Sequence, residues 1–210
     1  MPDAVLAVLY AVILMLGLVA GIAHRGRRGV QRPLLNRSSV ALWLLVAIPS
    51  VLQLLFPALL SALRRDPEQI RNGQVWRLLT SAVVQDGGVI GTVFNLVALA
   101  LVALVAGDVW GGRRMWILFL ASQLVSNTLV VITFAPVGAG NSIATFGLGM
   151  SMVSLVVAQD RRPVDVGRLV LSLGLAIALL ADRDIHGIAV CVGLVLGLAC
   201  AAVWPNPRTP

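Results

Sequence analysis

The chain has no lysine: all sixteen basic side chains are arginine, set against nine acidic ones for a formal charge of +7. Charge of either sign is scarce, at 12% of residues against 59% hydrophobic, which excludes an ordinary soluble domain and indicates an integral membrane protein. The arginines sit in short loops between apolar runs, where cations set orientation in a bilayer, so the positive charge does not indicate a nucleic-acid partner. There are only two cysteines. Cys191 and Cys200 lie about 13 Å apart along a helix axis and cannot bridge within it, and no metal-ligand cluster surrounds them. Soluble domains, internal repeats and low-complexity segments are all missing. The acidic residues fall in loops, whereas a transporter or channel needs paired broken helices and charges near the midplane.

What is present is a series of seven apolar runs of spanning length, at 4–23, 40–63, 87–106, 115–135, 139–158, 167–181 and 186–204, the sixth being short. The first has an aspartate before it and arginines after it, an order that suits a retained span better than a cleaved signal. Placing 24–37, 111–114, 160–168 and Arg208 in the cytoplasm assigns eleven arginines inside and five outside. The amino terminus is then external and the carboxyl terminus cytoplasmic. One outer connection is long, residues 64–86, and its "VWRLLTSAVV" has the mixed character of an interfacial element.

With this topology the third, fifth and seventh helices all start at the outer surface. Asn95, Ser142 and His186 then lie at similar shallow depth. The serine belongs to "AGNSIATFGLGM", where Gly138, Gly140, Gly147 and Gly149 leave room around it. Taken singly, a membrane serine eases helix packing and an asparagine glues helices together; a histidine in a bundle is a functional suspect. Taken together they suggest peptide-bond chemistry. A hydroxyl needs a base to become a nucleophile, imidazole suits that task near neutral pH, and the developing oxyanion requires fixed donors such as the Asn95 amide and the N–H groups opening the serine helix. No acidic third member is expected, Asp182 and Asp184 reading as water-facing loop residues.

These residues resemble the rhomboid family of intramembrane serine proteases. "GQVWRLLTSAVVQ" is similar to the family's first outer loop, "GTVFN" to its HxxxN motif, "GNSIATFGL" to its GxSx motif, and "HGIAVCVGLVLG" to its histidine helix with a glycine ladder. The resemblance implies an all-α membrane protein with a six-helix transmembrane core, residues 40–204. One additional N-terminal transmembrane helix and a basic cytoplasmic loop make up 1–39, and a short cytoplasmic tail 205–210. It further implies a Ser–His dyad, Ser142 as nucleophile and His186 as general base. Asn95 would stabilise the oxyanion, Phe146 would pack near the histidine, and Gly193 and Gly197 would close the ladder. Transmembrane protein substrates in the lipid bilayer of a bacterial plasma membrane are the implied partners, with no cofactor or metal. The departures are Gly91 in place of the motif's histidine, Gln85 in place of a loop histidine, Ala189 in place of a ladder glycine, and Ile143 after the serine, where its branched side chain is expected to crowd the pair or the helix contact. They keep an alternative open: a catalytically weak or inactive relative that binds and escorts transmembrane helices.

Overall fold

A computed structural model describes residues 1–30 and 34–204. Arg32 of the basic loop and the tail 205–210 with Arg208 lie outside the described residues. The chain is all-α, and among the described residues seven helices are long and apolar enough to cross a membrane. Helix α1 spans Asp3–Arg27, α2 Arg37–Leu55, α3 Ala58–Leu63, α4 Pro67–Arg71 and α5 Arg77–Thr80, continued by a 3-10 turn at Ser81–Val83. Then come α6 Gly88–Val109, α7 Gly112–Thr133, α8 Ser142–Gln159, α9 Pro163–Ala181 and α10 Ile185–Val203.

Local chemistry explains where these elements start and stop. The Asn36 side chain accepts from the Ser39 N–H at 2.9 Å to open α2, and Asp66 caps α4 by accepting from the N–H groups of Glu68 and Gln69. The apolar run 40–63 does not form one helix. Phe56 precedes Pro57 and takes non-helical torsions, φ −124° and ψ 80°, so the helix stops at Leu55 and a short one restarts at Ala58. The sixth span is longer than its apolar run. It begins at Pro163, a residue preorganised for a first helical turn, and its fully buried Asp165 is paired with Arg168 and Arg27, so the charge does not end the helix.

Helix α8 runs through the middle of the bundle and is buried along nearly its whole length, with α1, α6, α7, α9 and α10 around it. Glycine permits this density. A Cβ on Gly193 of α10 would stand 2.6 Å from the Cα of Gly147, one on Gly197 2.6 Å from the Cα of Ser151, and one on Gly17 of α1 2.7 Å from the carbonyl oxygen of Gly149. Hydroxyl and indole groups add interhelical bonds: Ser154 Oγ donates to the Leu194 carbonyl at 2.7 Å, Ser39 Oγ to that of Ala103 at 2.6 Å, and Trp43 Nε1 to that of Leu96 at 2.9 Å. The outer faces of α1, α2, α6 and α9 carry exposed Val, Leu and Ile, as a lipid-facing surface requires.

The loops segregate into two groups at opposite ends. At one end His24 and Arg27 both bond the Asp160 carboxylate, and Arg25 pairs with Asp108 at 2.7 Å. At the other, Arg65 and Gly138 exchange backbone hydrogen bonds of 2.8 and 3.0 Å, the Ala139 N–H donates to Asp86 at 2.8 Å, and the Gly140 N–H donates to the Ser81 carbonyl at 2.8 Å. The segment leading into α8 is thereby fastened to the long loop at three successive residues.

Burial raises the Asp160 pKa, but hydrogen bonds and charge from His24 and Arg27 outweigh it and hold the carboxyl below the usual range. A depressed carboxyl stabilises the fold above its unfolded pKa and loses that contribution as pH falls through the folded value. Asp160→Asn is therefore expected to lower the melting temperature in detergent at pH 7. The gap to the unmodified protein should begin to narrow below about pH 4, where the unfolded carboxyl takes up its proton, and go on closing as pH falls through the lower folded value; parallel thermal scans across pH check this.

Candidate active site

Ser142 is the first residue of α8 and His186 the second of α10. The parallel descent of these helices from the same end, locked at Gly147 and Gly193, brings Ser142 Oγ to 3.0 Å from His186 Nε2. The other ring nitrogen, Nδ1, is 2.7 Å from Asp184 Oδ1. A carboxylate only accepts, so Nδ1 carries the proton and Nε2 offers its lone pair to the serine hydroxyl.

Asp184 corrects the sequence expectation that neither acidic residue of the 182–185 turn reaches the pair. It is the N-cap of α10: its Oδ1 accepts from the His186 backbone N–H at 2.8 Å as well as facing the ring, and its Oδ2 accepts from the hydroxyl of Tyr10. Burial acts to raise the Asp184 pKa, yet the hydrogen bond and charge of His186, with the Tyr10 hydroxyl, keep the carboxyl below its ordinary range. Asp182 behaves as expected of a loop residue, pairing with the α-amine of Met1 at 2.6 Å. The cap position itself is the available signal, since an aspartate two residues before a histidine at a helix start can serve both the backbone and the ring.

Tyr10, the chain's single tyrosine, is the second residue that sequence reasoning missed. Its ring centroid is 4.5 Å from that of His186 and 5.5 Å from that of Phe146, and Phe146 in turn lies 5.0 Å from His186. The imidazole thus joins a three-ring cluster, packed against Phe146 from α8 and Tyr10 from α1, which also touch each other. The helix-face periodicity that places Tyr10 on the same stripe as Gly17 and His24 could have found it.

Asn95 lies at the same end, on α6. Its Nδ2 donates to Gln85 Oε1 at 2.8 Å, while Gln85 Nε2 donates to Asn141 Oδ1 at 3.0 Å and Ser50 Oγ at 3.1 Å. Gln85 is buried with both amide hydrogens engaged, which makes it a strut for the loop rather than a donor to the site. Gly140, at φ 144°, keeps open the space between these groups: a Cβ there would stand 3.3 Å from Gln85 Oε1, 3.4 Å from Asn95 Nδ2 and 3.6 Å from Ser142 Oγ. The Asn95 amide and the serine hydroxyl therefore border one small volume. A Cβ added at Gly91, one turn above Asn95, would meet nothing within 4 Å, so there is room for a side chain at this position.

Ile143 does not crowd the pair. Its side chain is buried in the hydrophobic core and the Ser142–His186 distance stays at 3.0 Å. Replacing it by glycine removes core packing instead of relieving strain.

A cavity of about 870 Å³ opens over these groups, lined among others by Tyr10, Phe94, Asn95, Ser142 and His186. Arg65 and Asp86 stand at its rim; burial depresses the Arg65 pKa below the usual guanidinium range, with Asp86 opposing the shift. The family model for the rhomboid domain matches residues 72–206, well over half of the chain. The chain belongs to the rhomboid family. The matched segment starts in the long loop and takes in α6 to α10, so the α1 residue that touches the histidine of this rhomboid comes from outside it. No curated protein gives a significant match to the chain. Within the loop, the "GQVWR" residues of the rhomboid act as fasteners: Arg77 donates to Gln74 Oε1 at 2.7 Å and to the carbonyls of Ser61 and Arg64, and Thr80 donates to that of Leu63.

Removing the strut tests this arrangement. Gln85→Ala strips side-chain partners from Ser50, Asn95 and Asn141 and keeps the backbone bonds to Gln53. With ~1–3 kcal/mol for each buried polar group left unpaired, a clear drop in detergent melting temperature is expected, against a small one for Asn72→Ala at an exposed position of the same loop.

Proposed function

We propose that this rhomboid is an intramembrane serine endopeptidase, hydrolysing peptide bonds in or near transmembrane segments of membrane proteins. The observation that carries this reading is the 3.0 Å approach of Ser142 Oγ to His186 Nε2 in the lining of a cavity. His186 Nε2 takes the hydroxyl proton as Oγ attacks the peptide carbonyl carbon, and the imidazolium then gives that proton to the leaving amine. Water, deprotonated by the same nitrogen, hydrolyses the acyl-serine. The oxyanion draws on the Asn95 amide, which keeps one hydrogen beyond the one given to Gln85, and on first-turn N–H groups of α8, which Asn141 leaves without a side-chain cap. No cofactor or metal takes part.

The proposed setting is a bacterial plasma membrane, with the cavity end and the amino terminus outside and the carboxyl terminus in the cytoplasm. The arginine distribution supports that orientation. The proposed division is a six-helix core over 40–204, the extra helix and basic loop before it, and the tail 205–210. The substrates are other membrane proteins, and nucleic acid is not a partner.

One observation favours a second reading, a weak or inactive relative that holds transmembrane helices. Gly91 contributes no donor and the Asn95 amide already serves Gln85. A fluorophosphonate probe separates the two, because only an activated serine displaces its fluoride. Purified protein is expected to label, with labelling abolished in Ser142→Ala and reduced at least ~100-fold in His186→Ala, the usual scale of general-base catalysis. Labelling that persists in Ser142→Ala sinks the nucleophile assignment; no labelling of the unmodified protein supports the escort reading.

Gly91→His is the complementary experiment. The open space at that position accepts a side chain, and a restored oxyanion donor is worth up to ~10²–10³ in rate. Cleavage of a model transmembrane substrate in detergent is expected to accelerate.

A further inference from the structure

Helix α1 does more than flank the bundle. It seats against α8 at Gly17 and Gly149, and this seat holds Tyr10 over the imidazole. The phenol hydroxyl reaches the outer oxygen of Asp184, and the inner oxygen of that carboxylate faces Nδ1 of His186. Three elements distant in sequence thus form one hydrogen-bonded chain: Tyr10 Oη to Asp184 Oδ2, Asp184 Oδ1 to His186 Nδ1, and His186 Nε2 to Ser142 Oγ. Every polar atom along it has a partner of the right kind. The carboxylate accepts from the phenol, from the ring and from the His186 backbone N–H, and the ring is left with a single tautomer.

An imidazole that takes a proton from serine becomes a cation within the chain. A carboxylate at Nδ1 stabilises that cation and fixes the ring's rotation. A carboxylate on a turn would be free to swing toward water; the phenol and the helix cap hold this one on both oxygens. The other charged groups nearby are otherwise engaged: Asp182 holds the Met1 amine, Arg65 holds Asn127 Oδ1, and Asp86 holds the Ala139 N–H. Arg183 also lines the cavity, on the same turn as Asp184.

We propose that Asp184 is a positioning residue for His186, and that Tyr10 of the N-terminal helix holds Asp184 in place. The Ser–His pair is then a Tyr–Asp–His–Ser relay, and α1 is part of the active site. This inference rests on the Ser142–His186 reading above.

The test uses the full chain in detergent and a fluorophosphonate probe, measuring the maximal labelling rate kinact and the half-saturating concentration KI. Asp184→Asn keeps an oxygen able to cap α10 and removes the charge; Tyr10→Phe keeps the ring packing and removes the hydroxyl. Asp184→Asn is expected to lower kinact at least ~10-fold with KI within ~2-fold, the pattern of a group that supports the base without touching the probe. Tyr10→Phe is expected to lower kinact several-fold. In the double variant the rate should match Asp184→Asn alone, because Tyr10 acts through the carboxylate; independent structural effects would multiply instead.

An Asp184→Asn protein that labels at the unmodified rate overturns the proposal, as do losses that multiply in the double variant. Thermal unfolding in the same detergent verifies that each variant is folded. If Asp184→Asn does not fold, a folded Tyr10→Phe with unchanged kinact overturns the relay on its own. Failure of the underlying reading looks different: labelling is then absent from the unmodified protein or persists in Ser142→Ala.

Discussion

Helices in lipid gain little from merely hiding apolar side chains against each other, since the surrounding tails are just as apolar. What holds this bundle is close backbone approach. Helix α8 meets α1 at Gly17 and Gly149, and meets α10 where Gly193 abuts Gly147 and Gly197 abuts Ser151. The functional geometry is laid out from those seats. Tyr10, Ser142 and His186 each stand seven residues before a glycine of these contacts, Gly17, Gly149 and Gly193 respectively. Seven residues are two helical turns, or about 10.5 Å of rise. Three helices running the same way, seated at one level, therefore deliver phenol, hydroxyl and imidazole to a common height.

The loop end adds a second level of organisation. Residues 138, 139 and 140 are each bonded to the long loop, and buried Gln85 ties that loop to α2, α6 and the residue before the serine. Ordering such a segment costs conformational entropy, and distributing the restraint over backbone and side-chain partners offsets it. The serine thus enters α8 from a fixed approach, and the space beside Gly140 stays open next to the Asn95 amide.

Much of this can be read from the residues. The seven spans, the two loop groups and the shared depth of Asn95, Ser142 and His186 follow from hydropathy and arginine placement, and the serine and histidine motifs carry the family. Other features are hidden for physical reasons. Pro57 breaks an apolar run that composition alone extends to residue 63. Asp165 looks like a loop charge because its compensating partners, Arg168 and Arg27, are visible only in three dimensions. Asp184 reads as solvated because a helix cap and a histidine partner use the same residue type in the same place. Tyr10 gives only its place on the stripe of Gly17 and His24, since its role depends on how a helix outside the matched segment packs.

The seat at Gly17 has a consequence for residues that never meet a substrate. An added methyl there would run into the α8 backbone at 2.7 Å and push α1 outward like a shim under a beam. Two turns away the phenol would lift off the carboxylate, and the histidine would lose its brace. A change deep in the lipid, with no chemistry of its own, would in this way detune the proton acceptor at the membrane's rim.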